Sequence, residues 1–239
     1  MEFRIFTSAD SEEFAPVYEL FRSIFTDPDE AEDLEGIKTS LSLVGDSALV
    51  ARYGSFREYW IGAAEDGKPV GGVNFTAFEV GDRGITTAHI NYLFVSAACR
   101  GRGTGSLLLE KVREISMADF IFCEQNDPEL MSDEALAMDR QGSGIGARER
   151  IEWWRKRGFA KLDMRYVQPP LSEDKMAAEN MSLNVCPAPP SLDARIVEAH
   201  LRRFYYISVL KSRTAESNPA VEKILEDVLG KGSIGTIPG

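Results

Sequence analysis

The sequence predicts a mixed α/β fold, with a mostly antiparallel central sheet flanked by helices and a C-terminal α/β extension. Three observations carry this reading. Strand-like and helix-like signals alternate along the chain. The middle, from about residue 48 to 80, reads as successive strands joined by tight turns. A glycine-rich passage, CRGRGTG at 99 to 105, separates an apolar strand from an amphipathic helix. With 239 residues, 44% of them hydrophobic and 10% aromatic, the chain can bury a sizeable core.

Each element follows from its pattern. FRIF (3 to 6) is a short strand, and Ser11 opens a helix whose Phe14, Val17, Tyr18, Phe21, Ile24 and Phe25 fall at helical intervals. A polar helix is expected over about 29 to 42. ALVARYG, YWIGAAED and VGGVNFTAFEV then read as strands, the last two joined by DGKP, and AHINYLFV (88 to 95) is another. After the glycines comes a helix with Leu107, Leu108, Val112 and Ile115 inward, then the buried strand DFIFCEQ. Residues 126 to 146 form a long connection with room for a short helix, and Gly142, Gly144 and Gly146 read as a flexible loop. ARERIEWWRKRGF is a helix ended by Gly158, and KLDMRYVQPPL a strand stopped by its prolines. Beyond residue 170 the pattern gives a strand at 180 to 186, a turn at CPAPP, and helices at about 192 to 210 and 219 to 229. Two units are therefore expected, 1 to 170 and 171 to 239, the second packed on or next to the first.

Composition excludes several classes. A net charge of -11 disfavours a nucleic-acid partner, because phosphate neutralisation needs a basic surface. No apolar run of eighteen residues and no signal-like N-terminal stretch occurs, so no membrane role and a cytoplasmic location are expected. The three cysteines, Cys99, Cys123 and Cys186, are too few and too scattered for a disulfide framework or a zinc site, so no metal is expected. Charge is uneven. Ten carboxylates lie between Asp10 and Glu35 against the single Arg22, while Arg148, Arg150, Arg155, Lys156 and Arg157 crowd one later segment. Solvated helix faces explain most such runs; the sharper reading is an acidic wall for a cationic substrate and a basic rim for an anionic one.

A strand that runs into Arg-Gly-Arg-Gly-Thr-Gly and then a helix gathers backbone N–H groups at a helix N-terminus, where they and the macrodipole favour an anion. A plain tight turn would not need two arginines. GxxxxGK[ST] is absent, and Gly101, Gly103 and Gly105 do not match GxGxxG. What fits is Arg-x-x-Gly-x-Gly, Arg100 through Gly105. With LFV before it, FIFCEQND after it and the late RERIEWWRKRGF, it resembles the signature of the GNAT superfamily of acyl-CoA-dependent N-acyltransferases over roughly the first two thirds of the chain.

That resemblance implies an acetyl-CoA-dependent N-acetyltransferase, with acetyl-CoA as co-substrate, acting on a primary amine by direct attack in a ternary complex. Its alternative is a non-catalytic acyl-CoA-binding or regulatory module. It further implies that Arg100, Gly101, Arg102, Gly103, Thr104, Gly105 and Ser106 hold the coenzyme A diphosphate. Leu93, Phe94 and Val95 would pair with the pantetheine arm, and Asn126 would border the cofactor. His89 stands where family members often place a catalytic glutamate or histidine and would be the general base, directly or through a water, and Asn91 shares its face to orient water or substrate. Where many relatives carry a tyrosine acid, four residues before Gly158, this chain has Trp154, so the general acid is unassigned, with Tyr92, Tyr166 and solvent as substitutes. Trp153 and Trp154 read as core packing, as does Cys123. The carboxylates of the first two helices tilt the acceptor toward a cationic small-molecule amine. In the extension, Phe204, Tyr205, Tyr206 and Ile207 suffice to cover the site, pack on the sheet or make a homodimer contact.

Overall fold

A computed structural model describes residues 1–26, 31–80, 84–169, 177–211 and 217–237. In chain order the elements are β1 (Glu2–Phe6), α1 (Ala15–Ile24), α2 (Leu34–Ser42), α3 (Ser47–Tyr53), β2 (Phe56–Glu65), β3 (Lys68–Val80), β4 (Ile85–Val95), α4 (Thr104–Ser116), β5 (Phe120–Asn126), α5 (Asp133–Ser143), α6 (Ala147–Arg155), β6 (Ala160–Leu162), β7 (Met181–Cys186), β8 (Ser191–Asp193), α7 (Ala194–Arg203), α8 (Pro219–Gly230) and β9 (Ser233–Ile237). The strands form one sheet in the order β1-β2-β3-β4-β5-β7-β6-β9-β8, antiparallel at every step except the parallel pair β4–β5. This is the mixed, mostly antiparallel α/β architecture expected from the sequence.

Helices cover both faces. On one, Leu108, Leu109 and Val112 of α4 pack on Val73, Phe75, Ile90 and Cys123, joined by Trp153 and Trp154 of α6. On the other, Phe14 and Phe21 meet Trp60 edge-on at 5.4 and 5.3 Å. Further along that face α3, α7 and α8 bury Leu49, Tyr53, Val197, Leu201 and Leu225 against Phe78 and Phe122. Phe204, Tyr205, Tyr206 and Ile207 belong to this core, in a wide π-type turn that continues α7, so the extension's aromatic run packs on the sheet. The sheet does not divide at residue 170, because β7 lies between β5 and β6.

Four expectations change. ALVARYG is helix α3 and not a strand. The Asp46 side chain accepts from the N–H groups of Ala48 and Leu49 at 3.0 and 3.1 Å, and a helix puts Leu49 and Tyr53 on one buried face. The second helix starts at Leu34, where Asp33 caps Gly36 N–H at 2.7 Å; residues 29 and 30 lie outside the described residues. The strand read across KLDMRYVQPPL stops at Leu162, because Met164 N–H turns back to Leu162 O; Pro170 and Leu171 lie outside the described residues. The glycines read as a flexible loop bound helices instead: the connection from 126 to 146 holds the short helix it had room for, α5, capped by Ser132, reaching past Gly142 and ended by left-handed Gly144, after which Gly146 caps α6.

Candidate acyl-CoA site

Strands β3 and β4 stay paired as far as Gly71↔Val95, whereas β4 and β5 pair only from Thr87↔Phe120 to Ile90↔Cys123. Beyond that point β5 continues along β7 to Asn126↔Met181. Residues 91 to 95 of β4 therefore lose their neighbour on one side, and a wedge opens with Asn91 and Glu124 at its apex. An irregularity sits at the same place: Asn74 pairs with Tyr92 and Phe75 with Ile90, so Asn91 is the extra residue of a bulge.

At the mouth of the wedge the chain turns through a 3₁₀ turn, Ala97–Cys99, into the glycines. Gly101 and Gly103 have φ of 74° and 90°, and a side chain at either would point into open space. Glycine is required by the backbone at these two positions, not by crowding. Gly103 is the cap of α4 and offers no side-chain acceptor. Among the described residues, no backbone carbonyl accepts from the N–H groups of residues 101 to 105, while those of Ser106 and Leu107 bond Gly103 O. Five donors without a backbone acceptor thus lie at or just before the positive end of a 13-residue helix.

Cations surround them. Arg100 donates to Val95 O at 3.2 Å and Arg102 pairs with Glu65 at 2.9 Å. Of the later basic segment, Arg157 reaches the cradle: its guanidinium donates to Ser106 Oγ at 2.7 Å, to Trp153 O at 2.8 Å, and stacks 3.7 Å above the Trp153 ring. Burial and the neighbouring Arg113 push its pKa down. A depression lined by Ser106, Glu110, Arg113, Lys156 and Arg157 adjoins. Sequence reasoning saw this basic cluster but did not single out Arg157, whose contact with Ser106 spans 51 positions. Trp153 also lies under the cradle, its ring 3.0 Å from where a Gly105 side chain would start. Asn126, at the end of β5, donates to Asp139 of α5 at 3.2 Å.

The opposite face at the apex carries polar groups. Asn91 Nδ2 donates to Asn74 Oδ1 at 2.7 Å and to Thr76 Oγ1 at 3.3 Å, and Asn74 Nδ2 donates to Glu58 Oε1 at 3.0 Å. Glu58 is 6% exposed, and burial, reinforced by the charge of Glu32, pushes its carboxyl up to about 7. The ammonium of Lys211 pairs with Glu32 and donates to Gly36 O at 2.9 Å. Glu124 accepts from Tyr166 Oη and, at 3.2 Å, from Gln168 Nε2. The carboxylate run of the first two helices is largely spent locally: Asp10 and Glu35 pair with Lys38, Glu13 with Arg4, Glu32 with Lys211, and Asp33 is a cap. Asp27, Asp29 and Glu30 lie outside the described residues.

His89 occupies a different position from the one expected of a base that meets substrate. Its side chain has no exposed surface, Phe204 stacks on it at 3.6 Å, and Nδ1 is 3.0 Å from His200 Nε2. A ring so covered has no surface for direct contact with an incoming amine. Trp154 packs edge-on against Phe159 and Trp153, at 4.7 and 4.9 Å. Burial pushes the thiol of Cys123 up, as befits a core residue. Among the described residues no helix is long and apolar enough to cross a membrane.

Strands β4 and β5 of this α/β protein thus part beside a helix N-terminus with five N–H groups from which no backbone carbonyl among the described residues accepts. Residues 14–129 match the family model of the acetyltransferase (GNAT) family. A solved structure from Bacteroides thetaiotaomicron, described as an acetyltransferase from the GNAT family, is 21% identical over 87% of this chain and 99% of its own, with a TM-score of 0.58. Arabidopsis thaliana Naa50 in complex with a CoA-peptide bisubstrate analogue is 14% identical over 77% and 98%, with a TM-score of 0.47. An aminoglycoside 6'-N-acetyltransferase complexed with coenzyme A is 16% identical over 77% and 96%, with a TM-score of 0.46. No curated protein matches the chain in sequence.

Proposed function

We propose that the chain is an acetyl-CoA-dependent N-acetyltransferase that acts on a primary amine by direct attack in a ternary complex. The observation that carries the reading is the coincidence of the wedge at residues 91 to 95 with the five free donors at residues 101 to 105. The donor set fits a diphosphate, since unencumbered N–H groups at a helix N-terminus suit oxyanions and the two left-handed glycines leave them open. Arg100 and Arg102 add positive charge at the cradle, Ser106 closes it, and Arg113, Lys156 and Arg157 supply cations for further phosphate beside it.

In this reading the free edge of Leu93, Phe94 and Val95 pairs with the pantetheine amides and Asn126 borders the arm. A backbone N–H near the bulge donates to the thioester oxygen as negative charge develops there. The acceptor amine approaches from the side of the apex that carries Asn91, Tyr92 and Glu124, and the Glu124 carboxylate favours a cationic small molecule. Asn91, tied to Asn74 and Thr76, orients that amine or a water, and His89 acts from behind the surface rather than in contact with it.

Calorimetric titration with acetyl-CoA, with NADH and ATP as controls, tests the cradle, and thiol release on adding primary amines tests the transfer. Micromolar affinity for acetyl-CoA alone, with amine-dependent thiol release, is the expected result. Affinity without release across a broad amine panel would favour a non-catalytic acyl-CoA-binding module; no affinity would overturn the site.

A further inference from the structure

Two histidines from distant parts of the chain meet beneath the apex of the wedge. Thr87 Oγ1 lies 2.9 Å from His200 Nδ1, and His200 Nε2 lies 3.0 Å from His89 Nδ1. His89 Nε2 has no hydrogen-bond partner and lies 3.8 Å from Glu124 Oε2. Both imidazoles have no exposed surface, with His200 stacked on Phe122 at 4.0 Å, whereas the Glu124 side chain keeps 11% exposure. Glu124 follows Cys123, the last residue of β5 paired with β4, and so stands at the apex, on the face opposite α4.

The proton positions can be argued. Burial pushes the His200 pKa well below its ordinary value, and the charge of Arg203 pushes the same way, so this ring is neutral near pH 7. With one N–H on each ring, two arrangements are open. If these sit on the Nδ1 atoms, the lone pair of His89 Nε2 faces a carboxylate across 3.8 Å of dry interior, which is repulsive. If they sit on the Nε2 atoms, both hydrogen bonds of the row are made and the remaining N–H faces the carboxylate. Thr87 O–H donates to His200 Nδ1, His200 Nε2–H donates to His89 Nδ1, and His89 Nε2–H points at Glu124.

We infer that Glu124 receives the proton of the attacking amine, and that His200, supplied by the C-terminal segment, is a positioning residue that holds His89 in the tautomer whose N–H faces that carboxylate. The inference rests on the acetyl-transfer reading. As the N–C bond forms and the C–S bond breaks, one proton leaves the nitrogen for Glu124, and the thiolate departs with its electron pair and is protonated by water. Tyr166 and Gln168 hold Glu124 from its other side. The titratable and charged groups around this chain are Tyr92 and His89 on β4, His200 and Arg203 on α7, and Tyr166 and Tyr205.

The chain has only two histidines, so a protein labelled with ¹⁵N-histidine gives two ring systems and needs no known acceptor. Nitrogen shifts at pH 7.5 should show the proton of each ring on Nε2, and a proton on Nδ1 of either ring would overturn the inference. Kinetics adds a second reading with the first amine that supports thiol release. His200→Leu should leave acetyl-CoA affinity unchanged, lower kcat by about tenfold and move the acid limb of the pH–rate profile upward. His200→Gln, whose amide N–H takes the place of Nε2–H, should restore both. A folded His200→Leu with an unmoved limb would overturn the inference while leaving the acetyl-CoA titration intact.

Discussion

Glu58 offers a sharp test of how the apex is built. Its carboxyl is 6% exposed, receives a hydrogen bond from Asn74 at 3.0 Å, and is pushed by burial from 4.5 to about 7. The folded protein therefore holds this proton more tightly than the unfolded chain does. Below pH 4.5 both states keep it; between 4.5 and 7 the unfolded state releases it while the folded state does not, and stability falls as pH rises; above 7 the loss is complete. Integrated over that interval, the loss is about 3 kcal/mol. Glu58→Gln keeps the shape and the acceptor for Asn74 and has no charge to bury. Urea unfolding of both proteins from pH 4 to pH 8.5 gives the difference directly, and other carboxylates cancel in the subtraction. The variant should match the parent near pH 4 and gain on it progressively, by about 3 kcal/mol at pH 8. A constant difference across the range would refute the buried, proton-holding Glu58 and with it the dry character of this face.

Gly103→Ala places a side chain in open space at φ of 90°, so the expected effect is backbone strain of about 1–2 kcal/mol and a cradle turned away from its ligand. Calorimetry should find acetyl-CoA affinity down by more than tenfold with the melting temperature only a few degrees lower; unchanged affinity would count against the cradle. Lys211→Met removes the partner of Glu32, both groups being under 20% exposed, and should destabilise the fold by about 3 kcal/mol at pH 8. Adding Glu32→Gln should recover most of that loss in denaturant titrations, and a double variant no better than the single would show that the pair is not the cause.

The cradle was legible because its signal is local. Two glycines that must turn left-handed, an apolar strand before them and an amphipathic helix after them all fall within about thirty residues, and the meander β2–β4 was legible for the same reason. ALVARYG misled because alternating small and branched residues imitate a strand, and only the Asp46 cap and the Leu49–Tyr53 spacing betray a helix. β9 escaped because SIGTI is short and earns its conformation only by pairing with β6 and β8. The arrangement behind the apex was beyond sequence reasoning for a plainer reason. His89 and His200 are 111 positions apart, neither has a motif, and what joins them is the packing of α7 on the sheet. A histidine on a strand advertises chemistry, but nothing in one dimension tells whether it will face a ligand or a second ring.

The placement of β7 between β5 and β6 also dictates an order of events during synthesis. Strands β1 to β4 can zip as they emerge, each beside its predecessor. β6 cannot: its neighbours are β7 and β9, both made later, and the register Lys161↔Ile237 closes across 76 positions. Until residue 237 has been made, β6 keeps an unpaired edge, and the growing chain carries an incomplete half-sheet next to a finished one. Shortening the chain before Ser233 would make that transient state permanent, exposing an adhesive edge.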